Sequence, residues 1–529
     1  MRPESPPIDL QRRVRITLAA VVAAALVAVG TISAVATAQT VPTTAQQEQG
    51  MTPGAPLAEP AVADTDQAEV TLDATKARVS VSGREVWGQA YNGALVGPTL
   101  HLEPGRTATI TLHNRLPVAT NLHFHGLHTS PEGNSDNPFV CVPPGASYTY
   151  RLAIPAEHQQ GTFWYHSHAM GTSCPPPGTS SDGHAHAMSP APFTPGDVEN
   201  QIFAGLSGAM VVGDSRSSLP DSVRDVSTRT IALKDAQIDT SGKIVQSTAG
   251  ASIDSNAPTV RLVDGQLRPT LSMRPGETQL WRLANIGADI FYRLQLDGYA
   301  FSVLAEDGNE YSQSVSAAEL LLPPGKRFDV LVTAPAAPAS TWLRTLNYSN
   351  GPQGDTYPDT PLMKVDASGP RVAPSAPQSA LSAGTPLRGA PADLTAAPIA
   401  QRRTLALSED SSGTAFFING RRFSMDQPTF DIAAKLGTVE EWTILNTSGE
   451  DHPFHVHTNA FQVLSSNGAP VASPHRQDTV VVPHAVNGTP GKVVIRQAFS
   501  DYAGNWMFHC HIAAHEDNGM MGYIRVVGA

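Results

Sequence analysis

At 529 residues, 41% of them hydrophobic and 16% charged, with a formal net charge of -12, the chain has the length for about three or four domains, each able to bury a core. No block of lysine and arginine follows the N-terminus, so the basic footprint that phosphate contacts require is missing, and the composition argues against a nucleic-acid partner. The acidic balance is compatible with attracting cations but by itself signals only solubility.

The first segment, residues 1–38, reads as an export signal. "QRRVR" precedes an uncharged run from Ile16 to Thr37, and "ATA" at Ala36 to Ala38 offers a small-residue cleavage site. The run is long enough to be kept as a single-span membrane anchor instead. Arg12 and Arg13 permit a twin-arginine route. Export to the cell envelope or beyond implies an oxidising compartment, where Cys141 and Cys174 could pair. Residues 39–65 are polar, contain proline and lack periodicity, so they are expected to be a flexible leader.

Short apolar or alternating runs follow, among them "ATITLHNRL", "YTYRLAI", "FDVLVTA" and "KVVIRQAF", separated by Pro-Gly, Asn-Gly and Asp-Gly signals. This is the pattern of an all-β protein built from Greek-key sandwiches. An internal repeat divides it. Gly105 in "LEPGRTATITLHNRLPVATNLHFHG" stands eighteen residues before His123 and twenty before His125, and Gly437 stands at the same offsets before His455 and His457. Gly276 has Leu294 and Leu296 at those offsets. A second match sets "GTFWYHSH" (Gly161 to His168) beside "GNWMFHCH" (Gly504 to His511), with Ser167 in the place of Cys510. Three related domains are therefore expected, over residues 66–214, 215–366 and 403–529, with a proline- and alanine-rich linker at 367–402.

No histidine falls between Ala187 and Asp451, so metal chemistry is confined to the outer domains. Successive strand residues point to opposite faces, so His509 and His511 face one way and Cys510 the other. On the cysteine side, His452, Cys510 and His515 with Met520 make the two-imidazole, one-thiolate, distant-thioether set of a blue-copper electron-transfer site. Met521 is read as core. On the other side, four H-x-H pairs supply eight imidazoles. These suit copper or zinc, and the neighbouring thiolate site favours copper because zinc has no redox chemistry.

On the motifs "HFHG", "HSH", "HPFHVH" and "HCHIAAHEDNGMM", the chain resembles the multicopper oxidases of the three-cupredoxin-domain, laccase-like type, from about Ala68 to Ala529. The resemblance implies four copper ions. A type 1 copper would be held by His452, Cys510, His515 and axial Met520, and a type 2 copper by His123 and His455. The type 3 pair would be held by His125, His166 and His511 on one ion and His168, His457 and His509 on the other. It implies one-electron entry through the exposed edge of His452 or His515, transfer through Cys510, and reduction of dioxygen to two waters at an interface between the outer domains, with the middle domain as spacer. Glu516 and Asp136 are the expected proton relays. The donor would be a phenol, an aromatic amine or a metal ion. A cuprous-ion oxidase for copper tolerance and a non-enzymatic copper carrier are the alternatives, and a copper nitrite reductase would leave the four histidine pairs unused.

One stretch departs from the pattern. Residues 169–200, an insertion of loop character, carry Met170, His184, His186 and Met188, soft enough to bind or deliver cuprous ion, or else form a plain surface loop. His101, His113, His128, His158, His475 and His484 have no partner at ligand spacing and are expected to be surface or structural.

Overall fold

The structure, a computed structural model, describes residues 53–66, 69–170, 195–247, 252–372, 381, 383–471 and 475–528. Alternation decides its elements. The strand Val70–Val81, "VTLDATKARVSV", buries Val70, Leu72, Ala74, Val79 and Val81 and exposes or half-exposes the residues between them, as expected of a sheet with one face on a core. Thr278–Asn285 is buried at every position, as befits a strand in the middle of a sheet covered on both faces.

Apart from a two-stranded ribbon, Tyr348–Ser349 with Thr356–Tyr357, the described strands assemble into three pairs of sheets, as in a cupredoxin-like β-sandwich. The first pair is a four-stranded sheet containing Val70–Val81 and a five-stranded sheet in the order Val62–Asp64, Thr99–Leu102, Ser207–Val212, Gly161–His166, His123–His125. Its core draws Leu72, Ile110 and Tyr150 from one sheet and Leu100, Phe124 and Met210 from the other. The second pair has six and five strands, and the third has seven and five. One hydrophobic cluster runs through the middle and third sandwiches, from Leu219 to Val526. Gly105, Gly276 and Gly437, from which the spacing is counted, turn at φ 76, 77 and 76°, a region open to glycine at little cost. The strand Tyr292–Leu296 carries Leu294 and Leu296 into the core.

The expected leader is partly structured. Val62–Asp64 pairs in parallel with Thr99–Leu102, Leu57 N donates to Thr270 O at 2.8 Å, and Glu59 binds Arg229. Backbone bonds hold this segment, so no side-chain periodicity announces it. The strand Ile399–Glu409 begins inside the stretch read as linker. Likewise, the end of the 169–200 segment is not loop: Val198–Ala204 is a short helix, with Val198 N and Glu199 N donating to the Asp517 carboxylate at 3.0 and 2.9 Å. Seven residues are too few for helical periodicity to declare itself, and the cap comes from a distant part of the chain. Met170 is buried against Met507, Met521 and Tyr523, while His184, His186, Met188 and the expected export segment lie outside the described residues. Cys141 is disulfide-bonded, and Cys174, the partner expected for it, is also outside them. Among the described residues, no helix is long and apolar enough to cross a membrane.

Candidate metal centres

Register brings the histidines together. In the first sandwich His123 pairs with His166 and His125 with Trp164. In the third, His455 pairs with His509 and Phe454 with Cys510. His168 lies just past its strand, clamped by Asn121, which accepts from His168 N at 2.8 Å and donates to His168 O at 3.0 Å. Three sets of ring nitrogens each fall within 4.8 Å of one another: His123, His125 and His455; His125, His166 and His511; His168, His457 and His509. The first two sets draw on both outer sandwiches, as does the third. A fourth set, His452, Cys510 and His515, lies across the strand, with Cys510 Sγ 3.6 Å from each Nδ1 and the two Nδ1 atoms 3.3 Å apart.

Met520 is fully buried beside this fourth set. Its N donates to His515 O at 2.9 Å and its O accepts from Cys510 N at 3.1 Å. His452 has no exposed edge: it is fully buried, and its Nε2 meets Ser448 Oγ at 2.7 Å. Of the two rings expected to offer an exposed edge, His515, 7% exposed, reaches the surface, whereas the strand that carries His452 is covered. Where the third sandwich has Cys510, the first has Ser167, whose hydroxyl donates to Gln201 Oε1 at 2.6 Å.

The eight imidazoles are all buried. Desolvation, reinforced by neighbouring rings, holds His123, His166, His457 and His511 well below the ordinary histidine range. His168 is brought to about 4 by burial. Neutral imidazole is the form that binds a metal. Burial likewise raises the Cys510 thiol, so a bound cation would have to displace its proton. For His515, burial is outweighed by the Glu450 carboxylate and Cys510, which raise it well above the ordinary range.

Hydrogen bonding tests whether a metal fits. One nitrogen of each of several rings is tied: His123 Nδ1 to Asp136 Oδ1 at 3.0 Å, His166 Nδ1 to Ser167 O at 2.8 Å, His455 Nδ1 to Asp478 O at 2.8 Å. His125 is tied the other way round, Nε2 to Asp478 Oδ1 at 2.9 Å. The nitrogens left over on three of these rings, Nε2 of His123, His166 and His455, are buried with no hydrogen-bond partner. The second ring nitrogens of His125 and His511, and those of His457 and His509, close to 3.1 Å. Bare buried imidazole nitrogens are costly unless they meet a donor or a cation. So many converging from two sandwiches, beside a thiol set of the blue-copper type, suit copper.

Sequence profiles of the multicopper oxidases match residues 73–181, 226–366 and 396–528. The chain belongs to the multicopper oxidase family. It is therefore an oxidoreductase that uses oxygen, and the family binds copper. The chain is 27% identical to the multicopper oxidase mco of Staphylococcus aureus over 82% of its own length and 83% of the relative's. It is 25% identical to the multicopper oxidase MmcO of Mycobacterium tuberculosis over 90% and 91%. It shares its fold with the multicopper oxidase from Campylobacter jejuni described as a metallo-oxidase, with a TM-score of 0.71 at 23% identity, covering 91% of this chain and 97% of that one.

Two carboxylates singled out in the sequence lie at the histidines. Asp136 also accepts from Phe124 N at 2.9 Å, and burial pushes its carboxyl up to about 8. Glu516 places Oε1 3.3 Å from His168 Nε2 and Oε2 3.0 Å from His509 Nδ1. Burial opposes its ionisation, but His509 and His168 outweigh that and hold it at about 2. Others escaped the sequence reading. Glu450 Oε1 stands 2.9 Å from His515 Nε2, and its only signal is the "GED" before His452. Asp478 opens an apolar strand with nothing to set it apart.

Proposed function

We propose that this oxidase takes electrons singly from a reducing donor beside His515 and spends them on dioxygen at the eight-histidine site, with water as product. The observation that carries the reading is one strand, Gly504–Cys510: Cys510 belongs to the thiol-containing set, while its covalent neighbours His509 and His511 belong to the histidine sets. His452, Cys510 and His515, with Met520, would hold the type 1 copper, and His123 with His455 the type 2. His125, His166 and His511 would hold one type 3 ion, and His168, His457 and His509 the other. Bound copper supplies one-electron chemistry, accepting electrons one at a time and passing four of them, with four protons, to one dioxygen to give two waters.

The chain's own residues do the rest. Burial of all eight imidazoles excludes bulk water from the reacting region. Main-chain bonds link the thiol to both flanking rings with no gap in the path. Asp136, hydrogen-bonded to His123 Nδ1, and Glu516, beside His168 and His509, stand where protons must be delivered to the site. Export, supported by the N-terminal apolar run, accords with this reading.

A second observation bears on the donor. Glu450 contacts the one ring of the thiol set that reaches the surface, and Glu409 and Asp355 lie near enough to influence both Glu450 and His515. Negative charge at the entry point favours a cationic donor such as cuprous ion over a neutral phenol. The test is oxygen consumption by copper-loaded protein with a simple phenol and then with cuprous ion, each beside Cys510→Ser. Uptake that disappears in the variant supports the oxidase reading, and the donor that drives it chooses the substrate class. Copper binding without uptake from either donor would put a carrier in its place.

A further inference from the structure

Arg327 begins a strand of the middle sandwich and is fully buried. Its Nη1 and Nη2 donate to Asp478 Oδ1 and Oδ2 at 2.8 and 2.7 Å. Nη1 also donates to Gly325 O at 2.9 Å, and Nε donates to Thr162 O of the first sandwich at 3.2 Å. Asp478 belongs to the third sandwich. Gly126, the residue after His125, lies against the pair at φ +86°, and a Cβ there would come within 2.5 Å of both Arg327 Nη2 and Asp478 Oδ2. Three sandwiches thus meet on one ion pair.

The pair continues into the candidate ligands. Asp478 Oδ1 accepts from His125 Nε2 and from Thr479 Oγ1, both at 2.9 Å, and Asp478 O accepts from His455 Nδ1 at 2.8 Å. These bonds select tautomers: Nδ1 of His125 and Nε2 of His455 are left as acceptors facing the histidine cluster. Asp307, also of the middle sandwich, steadies the same stretch by accepting from Asp478 N and Thr479 N, each at 3.1 Å. A buried ion pair gains little stability over an apolar pair of the same volume. What a bidentate guanidinium does supply is a fixed carboxylate plane.

We propose that Arg327 is a positioning residue for the histidine cluster. By gripping Asp478 it fixes the ring orientation and tautomer of His125 and His455, so the middle sandwich controls occupancy of an ion to which it contributes no ligand. The inference rests on the reading that His455 with His123, and His125 with His166 and His511, hold copper ions.

Copper-loaded native protein, Arg327→Gln and Arg327→Lys would be compared after the same mild chelator treatment. The readouts are copper per chain, the electron paramagnetic resonance signals of the thiolate-bound and imidazole-bound ions, and visible absorption from the Cys510 site. Outer-shell partners of metal ligands are worth roughly ten- to hundredfold in affinity. Arg327→Gln should therefore lose the imidazole-bound ion at that much lower chelator concentration while the Cys510 absorption stays. Arg327→Lys, which restores charge without the fork, should recover part of the loss. Retention of native copper content in Arg327→Gln overturns the proposal, as does loss of the Cys510 absorption in step with the rest, which marks a general packing defect. Gly126→Ala dislodges the pair without removing a charge, so the same selective loss is expected there, and native retention in that variant also overturns it. Native protein lacking the imidazole-bound ion from the outset would instead refute the reading on which the inference stands.

Discussion

Replacing Glu450 by glutamine keeps the side chain's size and removes one negative charge from a position 2.9 Å from His515 Nε2. The carboxyl is ionised at neutral pH, because His515 outweighs the opposing effect of burial and lowers it below the usual range. A monovalent cation about 4 Å from that carboxylate is attracted by roughly 4 kcal/mol at an effective dielectric constant of about 20. Solvent at the partly open edge and salt at physiological strength weaken this, leaving about 1.4 kcal/mol, or tenfold. A neutral phenol feels no such attraction. The measurement is kcat/KM for oxygen consumption with cuprous ion and with an uncharged phenol, in native protein and Glu450→Gln at pH 7. The expected result is a loss of about tenfold or more for the cation and less than about twofold for the phenol. Equal losses on both donors would mean that Glu450 only orients His515, and no loss on the cation would refute the electrostatic argument.

Gly325 sits in the middle sandwich at φ +83°, and a Cβ there would lie 3.0 Å from His125 Cε1 and His511 Cδ2. Gly325→Ala should cost roughly 1–2 kcal/mol in backbone strain and displace the two rings by tenths of an ångström, read as lower thermal stability and altered imidazole-bound copper spectra. Glu516→Gln removes a proton acceptor, and steady-state oxygen consumption should fall by about 10² or more while electron uptake from the donor without oxygen proceeds at the native rate. His158 is held at about 4 by burial against its ordinary 6.5. Above pH 6.5 neither state binds the proton; between 6.5 and 4 the unfolded chain takes it up and the folded one does not, so folding stability falls by about 3 kcal/mol in total. Denaturant titrations of native protein and His158→Gln across that range should show the variant's pH dependence flattened.

The all-β class and the family were legible because their signals are local. Alternation over a few residues marks each strand, and the H-x-H and H-C-H runs survive in a linear text. The residues that orient the ligands are a different matter. Asp478 meets His125 across 353 positions of sequence and Arg327 across 151, and neither carries a motif, since a carboxylate before an apolar strand looks the same whether it faces water or a guanidinium. The resemblance left the entry edge open between His452 and His515; only the packed sheet reveals that Ser448 and the surrounding core close His452 off. The strand Val62–Asp64 was illegible for a related reason, since it is held by main-chain bonds to which side-chain pattern is blind.

That short strand has a consequence for handling the protein. Thr99–Leu102 has Ser207–Val212 on one side and Val62–Asp64 on the other. A chain trimmed to begin at residue 66 would retain every candidate copper ligand and still uncover the outer row of peptide groups along Thr99–Leu102, a ready template for pairing with another molecule. The present edge ends instead on a three-residue strand finishing in Asp64, short and charged. Val62–Asp64 therefore covers that edge of the first sandwich, and the place to shorten the protein is ahead of it.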